Sequence, residues 1–235
     1  MQNSFLTQNI AQAASLLEKG NIDRAIGIFN ILSSKFPKNA EVFHFKAYAY
    51  LQSQNLDKAK ENFEKAISIS PGDCNIVLDY SNFLNSIGKK RLSLQQISNL
   101  TKNNKADYRL FYLEGCIHMD LKNYEDSIKS FKNVLQIKPD HKDASFNLGV
   151  IHFETKKYDV AEKIFDTYLK SFGKDIEAHR YLLQIFLITN QINKADALSS
   201  MLCVNYPNEA FLLYERARVL TRFCLLYTSD AADEV

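Results

Sequence analysis

The stretch AEVFHFKAYAYLQSQNLDKAKENFEKAISISPGD, residues 40–73, carries a pattern that returns along the chain every 34 residues. It places small residues at Ala47 and Ala59, an aromatic ring at Phe63 and a proline at Pro71. The prolines of the chain are separated by multiples of 34 residues, and they are Pro37, Pro71, Pro139 and Pro207. Because proline breaks helices, its recurrence at a fixed spacing indicates a repeat protein.

Six units of 34 residues fit the chain without insertion or deletion, and a seventh is partial. We number them repeats 1 to 7, and they span 6–39, 40–73, 74–107, 108–141, 142–175, 176–209 and 210–223. Position 8 of the repeats holds Ala13, Ala47, Ser81, Gly115, Gly149 and Leu183. Position 20 holds Ala25, Ala59, Ser93, Ser127, Ala161 and Ala195. Position 24 holds Phe29, Phe63, Ile97, Phe131, Phe165 and Ser199.

These columns predict two amphipathic helices in each repeat, over positions 1–14 and 17–31. Small residues at positions 8 and 20 let two helix backbones approach closely, and position 24 lies on the same helical face as position 20. Left-handed backbone is expected at the turn between the helices, at Gly20, Asn21, Gly88 and Asn123. N-terminal caps of the next first helix are expected at Asn39, Asp73, Asp107 and Asp175.

Two stretches carry a specific resemblance. The residues Phe146-Asn147-Leu148-Gly149, followed by Tyr158, Ala161 and Phe165, resemble one tetratricopeptide repeat (TPR), as does the pattern of residues 40–73. The resemblance covers residues 6 to about 223 and implies an all-α fold, a right-handed α-solenoid of antiparallel helix pairs. Repeat 3 matches less well because Lys105 replaces the proline, and repeat 6 because Leu183 and Ser199 occupy signature columns.

Composition excludes several classes of partner. The chain has 29 basic and 27 acidic residues, a net charge of +2, which gives no electrostatic reason to expect nucleic acid or an anionic membrane surface. No run of about 20 apolar residues predicts a transmembrane helix. The N-terminus lacks the features of a signal peptide, and the four cysteines lack metal or redox spacing. We therefore expect a cytoplasmic protein with reduced thiols.

The sequence contains no motif that predicts catalysis. A glycine-rich phosphate loop, a Gly-x-Ser-x-Gly elbow and a His-Glu-x-x-His pair are all missing, so we predict no enzymatic activity, no catalytic residue and no cofactor. His118 and His152 both occupy position 11. They could begin a metal site, but we interpret them as core residues at a column that usually holds Tyr or Leu, and we predict no metal site.

The resemblance implies that the first helices line a concave groove, mainly with positions 2, 5, 6, 9, 12 and 13. The groove residues predicted in this way are His44, Tyr48, Asn75, Asp79, Asn82, Arg109, Tyr112, Cys116, Asn147, Arg180, Tyr181 and Gln184. Aromatic residues and arginine carry much of the binding energy at interfaces, so the groove is expected to hold a peptide or a partner segment. Phe45 and Phe146 have two interpretations, as groove residues or as residues buried between repeats.

Some TPR domains hold the C-terminal carboxylate of chaperones with basic residues and asparagines on three successive repeats. Asn82 occupies position 9 of repeat 3, but Leu113 stands at position 6 of repeat 4 where the resemblance requires asparagine. We therefore predict no affinity for such acidic tails.

The repeat pattern stops after Phe223, where the chain reads CLLYTSDAADEV over residues 224–235. Asp233 stands at position 24 by count, which is a core column. We expect 224–235 to be a disordered, non-repeat tail that resembles foreign linker sequence on a truncated reading frame; the alternative is a divergent C-terminal cap. The function expected is a non-catalytic interaction scaffold. The alternative is the substrate-recruiting N-terminal array of a larger enzyme, similar to a sulfotransferase or an O-linked N-acetylglucosamine transferase.

Overall fold

The computed structural model describes residues 2–101 and 107–233, and within these ranges all regular secondary structure is α-helix. The helices are α1 (Gln2–Glu18), α2 (Ile22–Lys35), α3 (Ala40–Gln52), α4 (Leu56–Ile69), α5 (Cys74–Ser86), α6 (Lys90–Thr101), α7 (Tyr108–Asp120), α8 (Tyr124–Ile137), α9 (Lys142–Glu154), α10 (Tyr158–Phe172), α11 (Ile176–Ile188), α12 (Ile192–Asn205) and α13 (Ala210–Asp233). The fold class is all-α, a helical-repeat solenoid, as predicted.

Each repeat contributes two helices. In repeat 2 they are α3 and α4, which occupy positions 1–13 and 17–30, close to the expected bounds. We call the odd-numbered helices the first helices and the even-numbered ones the second helices. The predicted two-helix repeat is therefore confirmed.

The helices divide into two compact parts, Met1–Leu121 and Lys122–Val235. In the N-terminal part, α1 packs on α2 and α3, α3 on α4, and α5 on α6 and α7. In the C-terminal part, α9 packs on α8, α10 and α11, and α12 on α11 and α13. Each part thus places first helices beside one another.

The repeats bury their signature columns. Phe29, Phe63, Phe131 and Phe165 at position 24 are fully buried, as are all six residues at position 20. Ser93 Oγ donates to the backbone oxygen of Ser81 at 2.8 Å, which shows how closely positions 20 and 8 approach. A methyl group added at Gly149 would lie 2.7 Å from Phe165 Cζ, so no side chain fits there. The small columns are therefore a requirement of helix contact.

The turn between the two helices has the same backbone in repeats 1 to 6. Position 15 lies in the left-handed region each time, with φ between 59° and 76°, at Gly20, Gln54, Gly88, Lys122, Lys156 and Asn190. The expectation was right for the two glycines and wrong for Asn21 and Asn123, whose φ values are −84° and −82°. These asparagines instead occupy the N-cap position that follows the turn, where extended or intermediate backbone is usual.

The four predicted caps are confirmed. Asn39, Asp73, Asp107 and Asp175 each accept a hydrogen bond from a backbone N–H in the first turn of the following first helix. His141 caps α9 through Nδ1, which lies 3.3 Å from the Ala144 nitrogen. The sequence did not indicate this cap, because histidine is not among the usual N-cap residues.

Proline determines where most second helices end. In the four repeats with proline at position 32, the second helix ends at position 30, since the residue before proline avoids helical backbone. In repeat 5, Gly173 replaces the proline and α10 continues for one more residue, to Phe172. Lys105, the replacement in repeat 3, lies outside the described residues.

The last helix runs past the end of the repeat pattern. Helix α13 continues through Asp233, so the backbone of residues 224–233 is helical where a disordered tail was expected. Whether this segment is foreign sequence stays a prediction. None of the helices in 2–101 and 107–233 combines the length and the apolar character that crossing a bilayer requires.

Candidate binding groove on the first helices

A polar cluster lies between the first helices of repeats 2 and 3. His44 Nε2 on α3 lies 2.9 Å from Asp79 Oδ2 on α5, and only 12% and 25% of these side chains are exposed. The hydroxyl of Tyr48, one turn after His44, also donates to Asp79. The structure therefore brings together three residues that the sequence placed at positions 5, 9 and 6.

Burial raises the pKa of Tyr48, and the charge of Asp79 and its hydrogen bond raise it further. The Tyr48 hydroxyl consequently remains protonated and acts as a donor at neutral pH. The ring of Tyr48 meets Phe63 edge-on at 6.0 Å between centroids, and His44 lies 5.4 Å from Tyr48 by the same measure. Aromatic packing thus fixes the two donors that hold the carboxylate.

A second polar group joins repeats 3 and 4. The Arg109 guanidinium on α7 donates to Asn75 Oδ1 on α5 at 2.8 Å and to Asp107 Oδ2 at 2.6 Å. Hydrogen bonds from Arg109 hold the pKa of Asp107 below its ordinary value, against the opposing effect of burial. Asn75 and Arg109 are both exposed, so this contact lies at the surface.

The remaining predicted residues of the N-terminal part differ in exposure. Asn82 lies on α5 one turn beyond Asp79 and is exposed. Tyr112 and Cys116 on α7 are half-buried. Asn75, Asp79 and Asn82 therefore follow one another along one face of α5, at the spacing i, i+4 and i+7.

The C-terminal part has an aromatic cluster in place of a polar one. Tyr181 on α11 stacks on Phe165 with ring centroids 5.1 Å apart and planes 9° apart, and it meets Phe146 and Phe153 edge-on. Burial, followed by the charges of Glu154 and Glu177, raises the pKa of Tyr181. Tyr181 therefore also holds the first helices of repeats 5 and 6 together.

Phe45 and Phe146 pack between helices. Phe45 stacks on Phe29 with centroids 6.3 Å apart and planes 4° apart, and Phe146 contacts Phe165 and Tyr168 as well as Tyr181. Of the two interpretations offered above, the structure supports burial between repeats for both residues.

A small pocket of about 160 Å³ lies beside Tyr181. The residues that line it are Phe153, Glu154, Glu177, Arg180, Tyr181 and Gln184. Arg180 NH1 donates to both carboxylate oxygens of Glu177, at 2.7 and 2.8 Å, and its guanidinium lies 3.9 Å from the Phe211 ring centroid. Asn147, on α9, is half-buried and does not line this pocket.

Three of these pocket residues were missed by the sequence prediction. Phe153 and Glu154 stand at positions 12 and 13 of repeat 5, and Glu177 at position 2 of repeat 6. These are groove positions, so the signal was present. The prediction favoured aromatic, amide and arginine side chains and passed over the carboxylates.

The two histidines at position 11 are half-buried. In each ring Nδ1 is buried and has no hydrogen-bond partner within the described ranges. Burial, followed by the charges of Lys157 and Lys132, lowers the pKa of His152. Across residues 2–101 and 107–233, no three His, Cys, Asp or Glu side chains come together as a metal site would require. All four cysteines are free thiols.

One curated relative resembles part of the chain. The signal recognition particle subunit SRP72 of Dictyostelium discoideum is 25% identical over 146 residues, which is 61% of this chain. The match covers 20% of that relative, so the chain corresponds to about one fifth of its length.

Several solved structures share the fold. PilF of Pseudomonas aeruginosa superposes with a TM-score of 0.67 at 15% identity, over 94% of this chain and 98% of PilF. A tetratricopeptide repeat protein from Parabacteroides merdae gives 0.68 at 16% identity, over 93% and 87% of the two chains. YrrB gives 0.67 at 13% identity, over 80% of this chain and 97% of YrrB. At these identities the likeness concerns the fold alone.

Family models agree with the repeat boundaries. One tetratricopeptide repeat model matches residues 40–73, which is repeat 2, and a second matches residues 118–185. The paired helices, the buried small and aromatic columns and both models agree, and the chain belongs to the tetratricopeptide repeat family.

Proposed function

We propose that this chain is a non-catalytic protein-interaction scaffold that binds a peptide or an extended partner segment on the faces of its first helices. The observation that carries the proposal is the set of polar and aromatic side chains that successive first helices present side by side. In the N-terminal part these are the cluster around Asp79 and the Asn75–Arg109 contact. In the C-terminal part it is the pocket beside Tyr181.

The side chains are of the types that hold an extended chain. Amides such as Asn75 and Asn82 can both donate and accept hydrogen bonds, as a peptide backbone requires. The ring edges of Tyr48 and Tyr181 provide rigid apolar contact at a low entropic cost. Because repeat proteins present their repeats in a row, each repeat can contact successive residues of one ligand.

Similar proteins support the same class of function. YrrB is a TPR protein with an unusual peptide-binding site, and SRP72 is a subunit of the signal recognition particle. Both descriptions concern proteins that bind other molecules. They support a role in binding for this chain and name no partner for it.

The test is a selection of peptide ligands followed by measured affinities. Peptides selected from a random displayed library on the full chain would be synthesised and titrated by calorimetry, with an acidic chaperone-type C-terminal peptide as a further ligand. The groove variant is Asn75→Ala, Asn82→Ala and Arg109→Ala combined, because these side chains are exposed and their loss leaves the core intact. Loss of several such contacts is expected to weaken the selected peptides by at least about tenfold.

A matched variant on a second helix provides the control. Glu61→Ala and Lys65→Ala change exposed side chains of α4 and are expected to leave the affinity within about twofold. The acidic chaperone-type peptide is expected not to bind. Failure of the library to yield a ligand, or equal weakening by both variants, would refute the assignment of binding to the first helices.

A further inference from the structure

Asp79 is an anion without a permanently charged partner. The structure gives it two donors, His44 and Tyr48, of which Tyr48 is neutral. Among the described residues no lysine or arginine forms an ion pair with it. Arg109 feels its charge, but the Arg109 hydrogen bonds go to Asp107 and Asn75.

The carboxylate is also held in place and partly accessible. Its donors are fixed by packing against Phe63, and a quarter of its side chain remains exposed. A carboxylate offers about four acceptor positions, and the two described donors do not use them all. Asp79 therefore retains capacity for a further donor from solution.

Charge around Asp79 favours a cation. The groove positions of repeats 1 to 4 hold four acidic residues and one arginine, and they are Glu18, Glu41, Asp79, Asp120 and Arg109. The chain as a whole carries +2, so the negative charge is local to this face. Such a face attracts positively charged ligands and repels polyanions.

We propose that the first-helix face of the N-terminal part binds a basic segment of a partner protein, with a lysine or arginine side chain of that segment paired to Asp79. This inference rests on the proposed function and names the chemistry of its ligand. The amides of Asn75 and Asn82 lie one turn to either side of Asp79 on α5 and bind the backbone that flanks the basic side chain. The ring of Tyr48 lies beside the carboxylate and contacts the aliphatic part of that side chain.

Three short, fluorescently labelled peptide libraries test the proposal on the full chain. They differ only in the central residue, which is arginine, glutamine or glutamate, and their other positions are degenerate and uncharged. Affinities come from fluorescence anisotropy. The arginine library is expected to bind about fivefold to tenfold more tightly than the glutamate library, and the difference is expected to shrink as salt is added.

Two variants with opposite expected effects identify the residue. Asp79→Asn keeps the size of the side chain and removes its charge, and it is expected to abolish most of the preference for arginine. Asn82→Asp adds a charge at an exposed neighbouring position, and it is expected to tighten the arginine library about twofold to fourfold. Asp57→Asn, on the exposed surface of α4, is the matched control and is expected to change nothing. Because Asn82 is exposed, a gain in affinity there does not depend on how Asp79→Asn affects folding.

The outcomes separate this inference from the proposed function. Tighter binding of the arginine library, lost in Asp79→Asn, supports both. Equal binding of all three libraries, or a preference for glutamate, overturns the inference and leaves peptide binding standing. If no library binds, the proposed function fails together with the inference.

Discussion

Gly149 provides a direct test of the packing between the two helices of a repeat. It lies in α9 at position 8, and a β-carbon there would sit 2.7 Å from Cζ and 2.8 Å from Cε1 of Phe165. The Phe165 ring is fully buried and stacks on Tyr181, so it has little room to move away. We predict that Gly149→Ala destabilises the protein even though alanine is the better helix former.

The size of the effect follows from two opposing contributions. Alanine in a helix interior is favoured over glycine by about 0.8–1.0 kcal/mol. Overpacking a core typically costs about 1–3 kcal/mol, and the fixed ring places this site in the upper part of that range. The expected net loss of stability for Gly149→Ala is therefore about 1–2 kcal/mol.

Gly27 is the matched control for this prediction. It lies in α2, it is exposed, and a β-carbon built there meets no atom within 4 Å. Only the helix preference acts on Gly27→Ala, so this variant is expected to gain about 0.5–1 kcal/mol. The two glycine-to-alanine substitutions should thus shift stability in opposite directions.

Urea denaturation followed by far-ultraviolet circular dichroism measures both variants with one probe. A third variant, Phe165→Leu, tests the cause: in that background the cost of Gly149→Ala should fall by about 1 kcal/mol, because the ring atoms that oppose the methyl group are gone. If Gly149→Ala is as stable as the wild type, or more stable, the steric argument for the small column is wrong.

Three further predictions concern capping and ionisation. Asn55 accepts a hydrogen bond from a backbone N–H at the start of α4, so Asn55→Ala should cost about 1 kcal/mol in urea denaturation; Asn123, an N-cap without such a bond, should cost less than half of that. Burial alone would raise the pKa of Asp175, but hydrogen bonds from Tyr168, a backbone N–H and a lysine outweigh it and lower the pKa. Its contribution to stability is therefore complete above the unfolded pKa of about 4 and is lost as the pH falls through the lower folded value, so Asp175→Asn should flatten the acid side of the stability profile, and an unchanged profile would contradict this. Burial and the bond to Asp175 raise the pKa of Tyr168 to about 12, and an absorbance titration should show a phenol titrating there that Tyr168→Phe removes.

The sequence predicted the repeat architecture because the relevant constraints are local. A proline ends a helix through its own ring, a capping aspartate binds N–H groups two or three residues away, and a small residue is needed wherever two backbones approach. Asp175 and Gly149 could therefore be assigned from their position in the repeat. The left-handed backbone at Gln54 and Lys156 could not, because packing of the two helices imposes it on residues that do not prefer it.

The candidate site was predictable as a face and not as a set of contacts. Position numbers placed His44, Tyr48 and Asp79 on the first helices. Their hydrogen bonds depend on the offset between α3 and α5 and on the rotamers that Phe63 permits. Tyr181 shows the same limit, since its stacking on Phe165 follows from how α10 and α11 meet.

The turn at position 15 holds a reserve of stability that the binding face does not touch. Four of its six residues, Gln54, Lys122, Lys156 and Asn190, occupy a backbone region that costs residues other than glycine on the order of 1 kcal/mol. Replacing any of them by glycine would recover part of that energy at a site remote from Asp79. A chain with such a reserve can accept destabilising changes on its first helices and so acquire new ligands without losing its fold.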